Sequence, residues 1–440
     1  MRNPIGWLVI LVSIAFGQNW EMRSIIPEIG TAFNAVIVTD SLCLPHVAFD
    51  HYDRYGHRHE LAYASWTGDS WTIEYPDSGW VSSLDFCLDG NDNPHVGYAA
   101  GSLRYAYRDG GTWHVETVVV HGGGSSLALA RDGTPHMVFL DSETVKYAYK
   151  SADTWNVLTV PAYQADTARW ILGFSLALDT SDRPGIAVNW TKPAGNDDSL
   201  WFSFFEFDGE SWLRSDVDSL KPTPFGFPAP RVRSDPATDL FHVMYTAWSY
   251  ATGKGGNWQV EEAPVPDGAC DLALHQGRRH IVSGGGMPVQ YTWRTTEGWE
   301  TEMVKPVGTL AGTPSIAVDR TGRPHLTFVA ADDESLYYAR RLFVGTEEPP
   351  PPVVQPKLQL LVHPNPAPRA FTLEFLVRSP ATAVIRLCDA LGRTVWTQAE
   401  KVYPGQYCRR VCLSASIRPG VYFLQVESDS QKSIEKVILQ

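Results

Sequence analysis

The chain is poor in cysteine, in basic charge and in long apolar runs. Its six cysteines (Cys43, Cys87, Cys270, Cys388, Cys408 and Cys412) include no Cys-x-x-Cys pair, which argues against a structural zinc. Cys408 and Cys412 fall on one expected strand, about 13 Å apart, too far to bridge each other. Lys and Arg number 36 against 49 Asp and Glu, a net charge of −13. Phosphate binding needs a basic surface, so nucleic acid is not expected as a partner. Ile5 to Phe16 is the one long apolar run, and it is short for a transmembrane helix. With Arg2 before it and Ala15-Phe16-Gly17 at its end, Met1 to Gly17 reads as an export signal cleaved before Gln18. No Gly-x-Ser-x-Gly accompanies His121-Gly122-Gly123-Gly124, so that segment reads as a loop, not as an oxyanion-hole motif.

What the chain has is alternation. Ser82 to Val118 contains four short period-two runs separated by Asp, Asn, Gly and Pro, the signature of an antiparallel meander. Ser126 to Val157 repeats it. Four-strand repeats of roughly forty to fifty residues are what propeller blades look like. Trp20, Trp71, Trp113, Trp155, Trp212, Trp258 and Trp299 count seven outer strands. The second strands, marked by His46, His95, His136, Gly185, His242, His280 and His325, also count seven. The two series are out of phase, because Trp20 precedes the first histidine and no Trp follows the last. The expected solution is a seven-bladed β-propeller closed by the N-terminal strand, with Asn19 to Ile26 paired to Ser335 to Arg341. Closure removes unpaired strand edges.

Residues 18–343 are therefore expected to form the propeller, and 344–357, with Pro349 to Pro352, a semi-rigid linker. Seven further strands in 358–440 predict a small Ig-like β-sandwich, so the whole chain is read as all-β.

The last segment carries Pro364-Asn365-Pro366, then Asp389-Ala390-Leu391-Gly392-Arg393, then Pro419-Gly420-Val421-Tyr422-Phe423, and closes on Lys436-Val437-Ile438-Leu439. In these motifs and their order it resembles the type A C-terminal sorting domain of the type IX secretion system. The resemblance implies transit through the periplasm, recognition by the type IX machinery, and release or attachment at the outer-membrane surface. It makes Pro364, Asn365, Pro366, Asp389, Gly392, Arg393, Gly420 and Tyr422 recognition residues, not catalytic ones. The repeats, with Asp-x-x-Gly-x-Pro-His, Tyr-Ala and Gly-x-x-Trp, resemble those of bacterial surface propellers. Phe207-Asp208-Gly209-Glu210-Ser211-Trp212 echoes the Asp-box of sialidases, but Asp and Gly are adjacent here where that family separates them by one residue.

The repeated histidines read as one structural slot per blade, not as a metal ring. The glutamates following the tryptophans (Glu21, Glu74, Glu116, Glu261, Glu302) read as a repeated exposed face. Asp89-Gly90-Asn91-Asp92-Asn93 lacks the Gly and Glu of a calcium loop and reads as a turn. No cofactor, metal or catalytic residue is assigned. For a ligand-binding rim the candidates are His51, Tyr52, Tyr55 and His57, with Trp190, Trp248, Tyr250 and Asp332 in equivalent loops. The expected function is a monomeric, exported, non-catalytic module binding a glycan or a surface protein. The alternative is a sialidase-like glycoside hydrolase with acids at the channel mouth.

Overall fold

The computed structural model describes residues 19–342 and 360–439. Excepted are 27–29, 33, 54–57, 163–169, 192–198, 221–228, 247, 264, 266–267, 285–287, 306–311 and 331–334 in the first span. Excepted in the second are 364, 368–369, 378–380, 390–392, 403–404, 415–416 and 429–430. The described residues contain no helix. The chain divides into two compact units, Met1–Glu348 and Pro349–Gln440.

The first unit consists of antiparallel meanders, as the alternation requires. The second sheet is representative: Ser83–Leu88, Pro94–Ala99, Leu103–Asp109 and Thr112–Val119 pair in chain order. Pro94–Ala99 is buried at every residue, because sheets pack on both of its faces. Thr112–Val119 is largely exposed. Five more sheets follow the same order, opening with Ala35–Thr39, Gly123–Leu129, Trp170–Leu178, Arg231–Asp235 and Ala269–His275, and in the first of them Gly30–Thr31 also pairs with the second strand. The seventh is assembled from both ends of the unit. Ser315–Val318, Pro324–Val329 and Leu336–Arg341 are completed by Trp20–Ser24, in the register Trp20↔Arg341 to Ser24↔Tyr337.

First strands touch first strands in cyclic order. Ala35–Thr39 meets Ser83–Leu88, and the contacts continue sheet by sheet until Ser315–Val318 meets Ala35–Thr39. The apolar core is divided in the same way. Each cluster is shared by two neighbouring sheets, such as Tyr63 with Phe86 and Tyr98, or Trp20 with Tyr291 and Phe328. The cluster of Ile37, Phe49, Val329 and Tyr338 joins the seventh sheet to the first. Burying both faces of every sheet is the dominant favourable contribution here.

The Asp-x-x-Gly-x-Pro-His motif is a turn with a defined geometry. Asp89 Oδ1 accepts from the amides of Asn91 and Asn93. Asp319 does the same for Thr321 and Arg323, and Asp179 for Ser181 and Arg183. Two residues before the Pro the chain is left-handed, at Gly133 (φ 85°) and Gly322 (φ 82°), which is why glycine recurs there. Asp92 and Asp182 fill the same position in other sheets.

The second unit is two antiparallel sheets on one core. Leu361–His363, Ala370–Val377 and Gly405–Cys412 form one. Thr394–Val402, Ala381–Asp389, Gly420–Ser428 and Gln431–Leu439 form the other. Phe371, Leu373 and Phe375 of the first pack with Ile385, Leu387, Leu424 and Val437 of the second.

Candidate functional site

The repeated histidines are fixed by partners inside their own sheets. In each of the six sheets that has one, imidazole Nδ1 lies 2.5–2.8 Å from a tyrosine hydroxyl on the third strand: Tyr63, Tyr105, Tyr147, Tyr250, Tyr291 and Tyr338. At His325 the other ring nitrogen is 3.1 Å from Asp319 Oδ2. Nε2 therefore donates to the carboxylate and Tyr338 donates to Nδ1. Burial pushes the imidazoles of His95, His136, His242, His280 and His325 down, to about 4 at His136 and His242 and about 3 at His280. These five are neutral structural groups at neutral pH.

The glutamates of the outer strands are not simply a repeated exposed face. Glu74 accepts from the indole N–H of Trp113 in the next sheet at 2.8 Å. Glu116 accepts from Trp155 at 3.3 Å and Glu302 from Trp20 at 2.9 Å. A partly buried carboxylate and an indole thus latch adjacent sheets. Where Arg23 and Ser215 replace the glutamate, the following indoles, Trp71 and Trp258, have a buried N–H without a hydrogen-bond partner among the described residues.

A polar belt lines the mouth where the first strands begin. One position per sheet contributes to it: Val36, Asp85, Ser126, Ser175, Arg231, Asp271 and Ser315. Each acceptor side chain takes a backbone amide of the next sheet. Asp85 accepts from Leu127, Ser126 from Leu176, Ser175 from Val232, Asp271 from Ile316 and Ser315 from Ile37, all at 2.9–3.3 Å. Val36 and Arg231 cannot accept. In the sheets that follow them, Asp85 and Asp271 turn their second oxygen to their own neighbours, Phe86 and Leu272. Both carboxylates are committed to strand amides. Asp271 also accepts from Arg233 at 3.0 Å and from Ser315. The mouth encloses about 70 Å³, room for a few waters and far below the roughly 300–1,000 Å³ of small-molecule sites.

Around this mouth the sequence-derived candidates separate. Trp190 is 2% exposed, stacks on Trp201 and donates its indole N–H to Ser203. Tyr250 is fully buried against His242. Both are core residues, a correction to the expected rim. A Trp or Tyr near a strand end looks the same in sequence whether it points inward or outward. Tyr52 is also buried, with its hydroxyl donating to Val81 O. His51 is half-buried, 3.6 Å from Glu60 and beside Tyr75. Trp248 is 37% exposed. Tyr55, His57 and Asp332 lie outside the described residues.

The sequence reading missed two exposed indoles at the same end of the sheets. Trp80 and Trp170 are each 59% exposed. Trp80 precedes the first strand of the second sheet, Trp170 opens that of the fourth, and Trp248 lies between second and third strands. In antiparallel meanders these positions share one end, the end of the polar mouth. Both missed residues stand where a sheet-to-sheet connection ends, outside the repeating pattern.

In the second unit, Asn365 ties the start of the domain to its last strand. Its Oδ1 accepts from Ile438 N at 2.9 Å and its Nδ2 donates to Lys436 O. The Asn365–Pro366 bond is cis. Asp389 closes a hairpin by accepting from the Arg393 amide and guanidinium, and Tyr422 donates to Arg418 O. Gly420 opens its strand. Pro364 and Gly392 lie outside the described residues.

No curated protein matches the chain. Among solved structures it is similar to PorZ, a bacterial surface component of the type IX secretion system of Porphyromonas gingivalis. That match has 12% identity and a TM-score of 0.43, covering 90% of this chain and 58% of that one. The chain thus spans less than two thirds of that protein's length. It is also similar to the Aleuria aurantia lectin (12%, TM-score 0.41, 60% of this chain and 96% of that). A gluconolactonase of Xanthomonas campestris is a third (10%, TM-score 0.38, 74% and 90%). Residues 361–440 match the secretion system C-terminal sorting domain family.

Proposed function

We propose that the protein is cargo of the type IX secretion system, exported to the cell surface or released. In this reading 1–17 is the export signal, 344–357 a linker and 358–440 an Ig-like sorting domain. The cyclic contacts of the first strands and the register of Trp20–Ser24 support reading 18–343 as a seven-bladed propeller closed by its N-terminal strand.

The propeller is a binding module for a glycan on its loop face. One observation carries this reading: three exposed indoles share the end of the first unit's sheets where the acids at the mouth are already committed to backbone amides. Exposed aromatics on rigid strands supply contact area at low entropic cost. Carboxylates that hold strand amides have no freedom to act as acid and base on a sugar.

The test is a broad glycan array probed with the mature protein, with each bound glycan assayed for released sugar. Saturable binding without turnover is expected. Turnover would move the assignment to glycoside hydrolysis. Binding of neither kind would direct the search to a protein partner.

A further inference from the structure

The junction of the first and second sheets combines an exposed aromatic platform with a polar fork. Trp80 is held from behind: its ring lies 4.7 Å from that of His59 and 5.3 Å from that of Tyr52, and those two rings contact each other edge to face. Three residues earlier, Asp77 Oδ2 accepts from Arg104 at 2.6 Å and from the Tyr98 hydroxyl at 2.6 Å, across the sheet boundary. Arg104 Nε also reaches Ser102 Oγ at 3.1 Å. A guanidinium has five N–H donors. The carboxylate of Asp77 and the hydroxyl of Ser102 occupy two of them, and the side chain remains 30% exposed.

From these residues we infer that the junction is a shallow site for a neutral pyranose, with the sugar's C–H face on Trp80 and adjacent hydroxyls on Arg104 and Asp77. The inference deepens the glycan-binding reading and rests on it. Its chemistry follows from the parts. An indole offers an electron-rich face. A paired carboxylate and guanidinium together offer acceptors and donors, which vicinal hydroxyls match. The pair is neutral as a unit, and the protein carries a net charge of −13. An anionic sugar therefore meets Asp77 and an unfavourable field.

The molecule holds a partial copy of this junction. Between the fourth and fifth sheets the Tyr245 hydroxyl donates to Asp218 Oδ2 at 2.6 Å, as Tyr98 does to Asp77. Tyr98 pairs with Arg104 across its hairpin, but Tyr245 lies opposite Ser249, so the guanidinium is missing there. The complete set of platform and fork belongs to the first junction.

The test is saturation-transfer NMR of the full mature chain against methyl glycosides of glucose, galactose, mannose and fucose, with N-acetylneuraminic acid as the anionic probe. Titrations cover the wild type, Trp80→Ala, Arg104→Ala, Arg104→Lys, Trp170→Ala, Trp248→Ala and, as a control away from the mouth, Val260→Ala. The expected result is binding of at least one neutral glycoside. Affinity should fall at least about tenfold in Trp80→Ala and Arg104→Ala, as for anchors, and stay within about twofold in Val260→Ala, an exposed apolar residue on the outer strand of the fifth sheet. Both changes are at partly exposed side chains, and an unchanged thermal transition confirms folding. The conservative Arg104→Lys keeps the charge but loses the fork, so a similar loss there supports the polar assignment. If Trp80→Ala binds normally while Trp170→Ala or Trp248→Ala does not, the site is overturned and the glycan-binding reading stands. If the wild type binds none of the glycosides and no array glycan, both fall together. Preference for the anionic probe overturns the neutral assignment alone.

Discussion

In the second sheet His95 meets Tyr105; in the fourth the same two places hold Gly185 and Phe204. The pairing registers make the positions equivalent, His95 with Tyr107 and Gly185 with Glu206. Both polar members have gone together. A Cβ at Gly185 would sit 2.5 Å from the Phe241 ring and 2.7 Å from that of Phe204, so the imidazole's room is filled by phenyl rings. The change strands one more group. In the first, second and seventh sheets the turn aspartate directs Oδ2 at its own histidine: Asp40 to His46, Asp89 to His95 and Asp319 to His325, at 3.1–3.7 Å. Asp179 has no such histidine. Its Oδ2 is met by Lys254 of the fifth sheet at 2.6 Å, and Lys254 also reaches Asp239 at 2.7 Å. The imidazole and the hydroxyl that meets its Nδ1 are kept together in six sheets and lost together in the fourth, because either alone would leave an uncompensated buried group.

The largest consequence is the response to acid. His136, His242 and His280 are held neutral by burial, with pKa values of about 4, 4 and 3. The unfolded chain protonates them near 6.5, so it binds more protons below that pH. Their contribution is complete above about 6.5 and is lost as pH falls toward 4. At pH 5 each histidine lowers stability by about 2 kcal/mol relative to pH 7.5. The fourth sheet, lacking the imidazole, contributes nothing to this. Urea midpoints at the two pH values measure the effect, and a flat profile would break the account.

Restoring the histidine in the wrong sheet is the next largest. Gly185→His drives an imidazole into Phe241 and Phe204 and should cost about 3 kcal/mol, as overpacking does. A neutral result in chemical denaturation would mean the phenyl rings do not occupy that space. Lys254→Met should cost about 2 kcal/mol by leaving the buried Asp179 carboxylate without its cation. It should also raise the pKa of Asp239 from about 2 toward its ordinary value, because the Lys254 hydrogen bond is the main cause of that depression. Carboxyl NMR titration reads that shift directly. The smallest effect is a gain: Ser215→Glu offers the buried Trp258 N–H the acceptor that other indoles have, worth about 1 kcal/mol.

The strand pattern was legible because period-two alternation and turn residues recur in every repeat. Both ends of the seventh sheet could be matched from phase alone. The partners were not legible. Nothing in spacing says that His95 meets a hydroxyl ten residues on, or that Glu74 reaches the indole of another sheet. Those contacts depend on which way each strand faces and on how sheets abut. The candidate rim failed for the same reason at Trp190 and Tyr250, and Trp80 was overlooked because it belongs to no repeat. The sorting segment was legible in full as a family, since its motifs are contiguous and ordered; the clamp made by Asn365 on the last strand was not.

In the proposed function the acids at the mouth are structural and the exposed indoles bind the glycan. Glycan binding and sugar release should be measured side by side for the wild type, Asp85→Asn, Asp271→Asn and Trp80→Ala. The account predicts lower thermal stability with unchanged glycan affinity in the two Asn variants, lost binding with unchanged stability in Trp80→Ala, and sugar release from none. Sugar release by the wild type that disappears in Asp85→Asn or Asp271→Asn would contradict it.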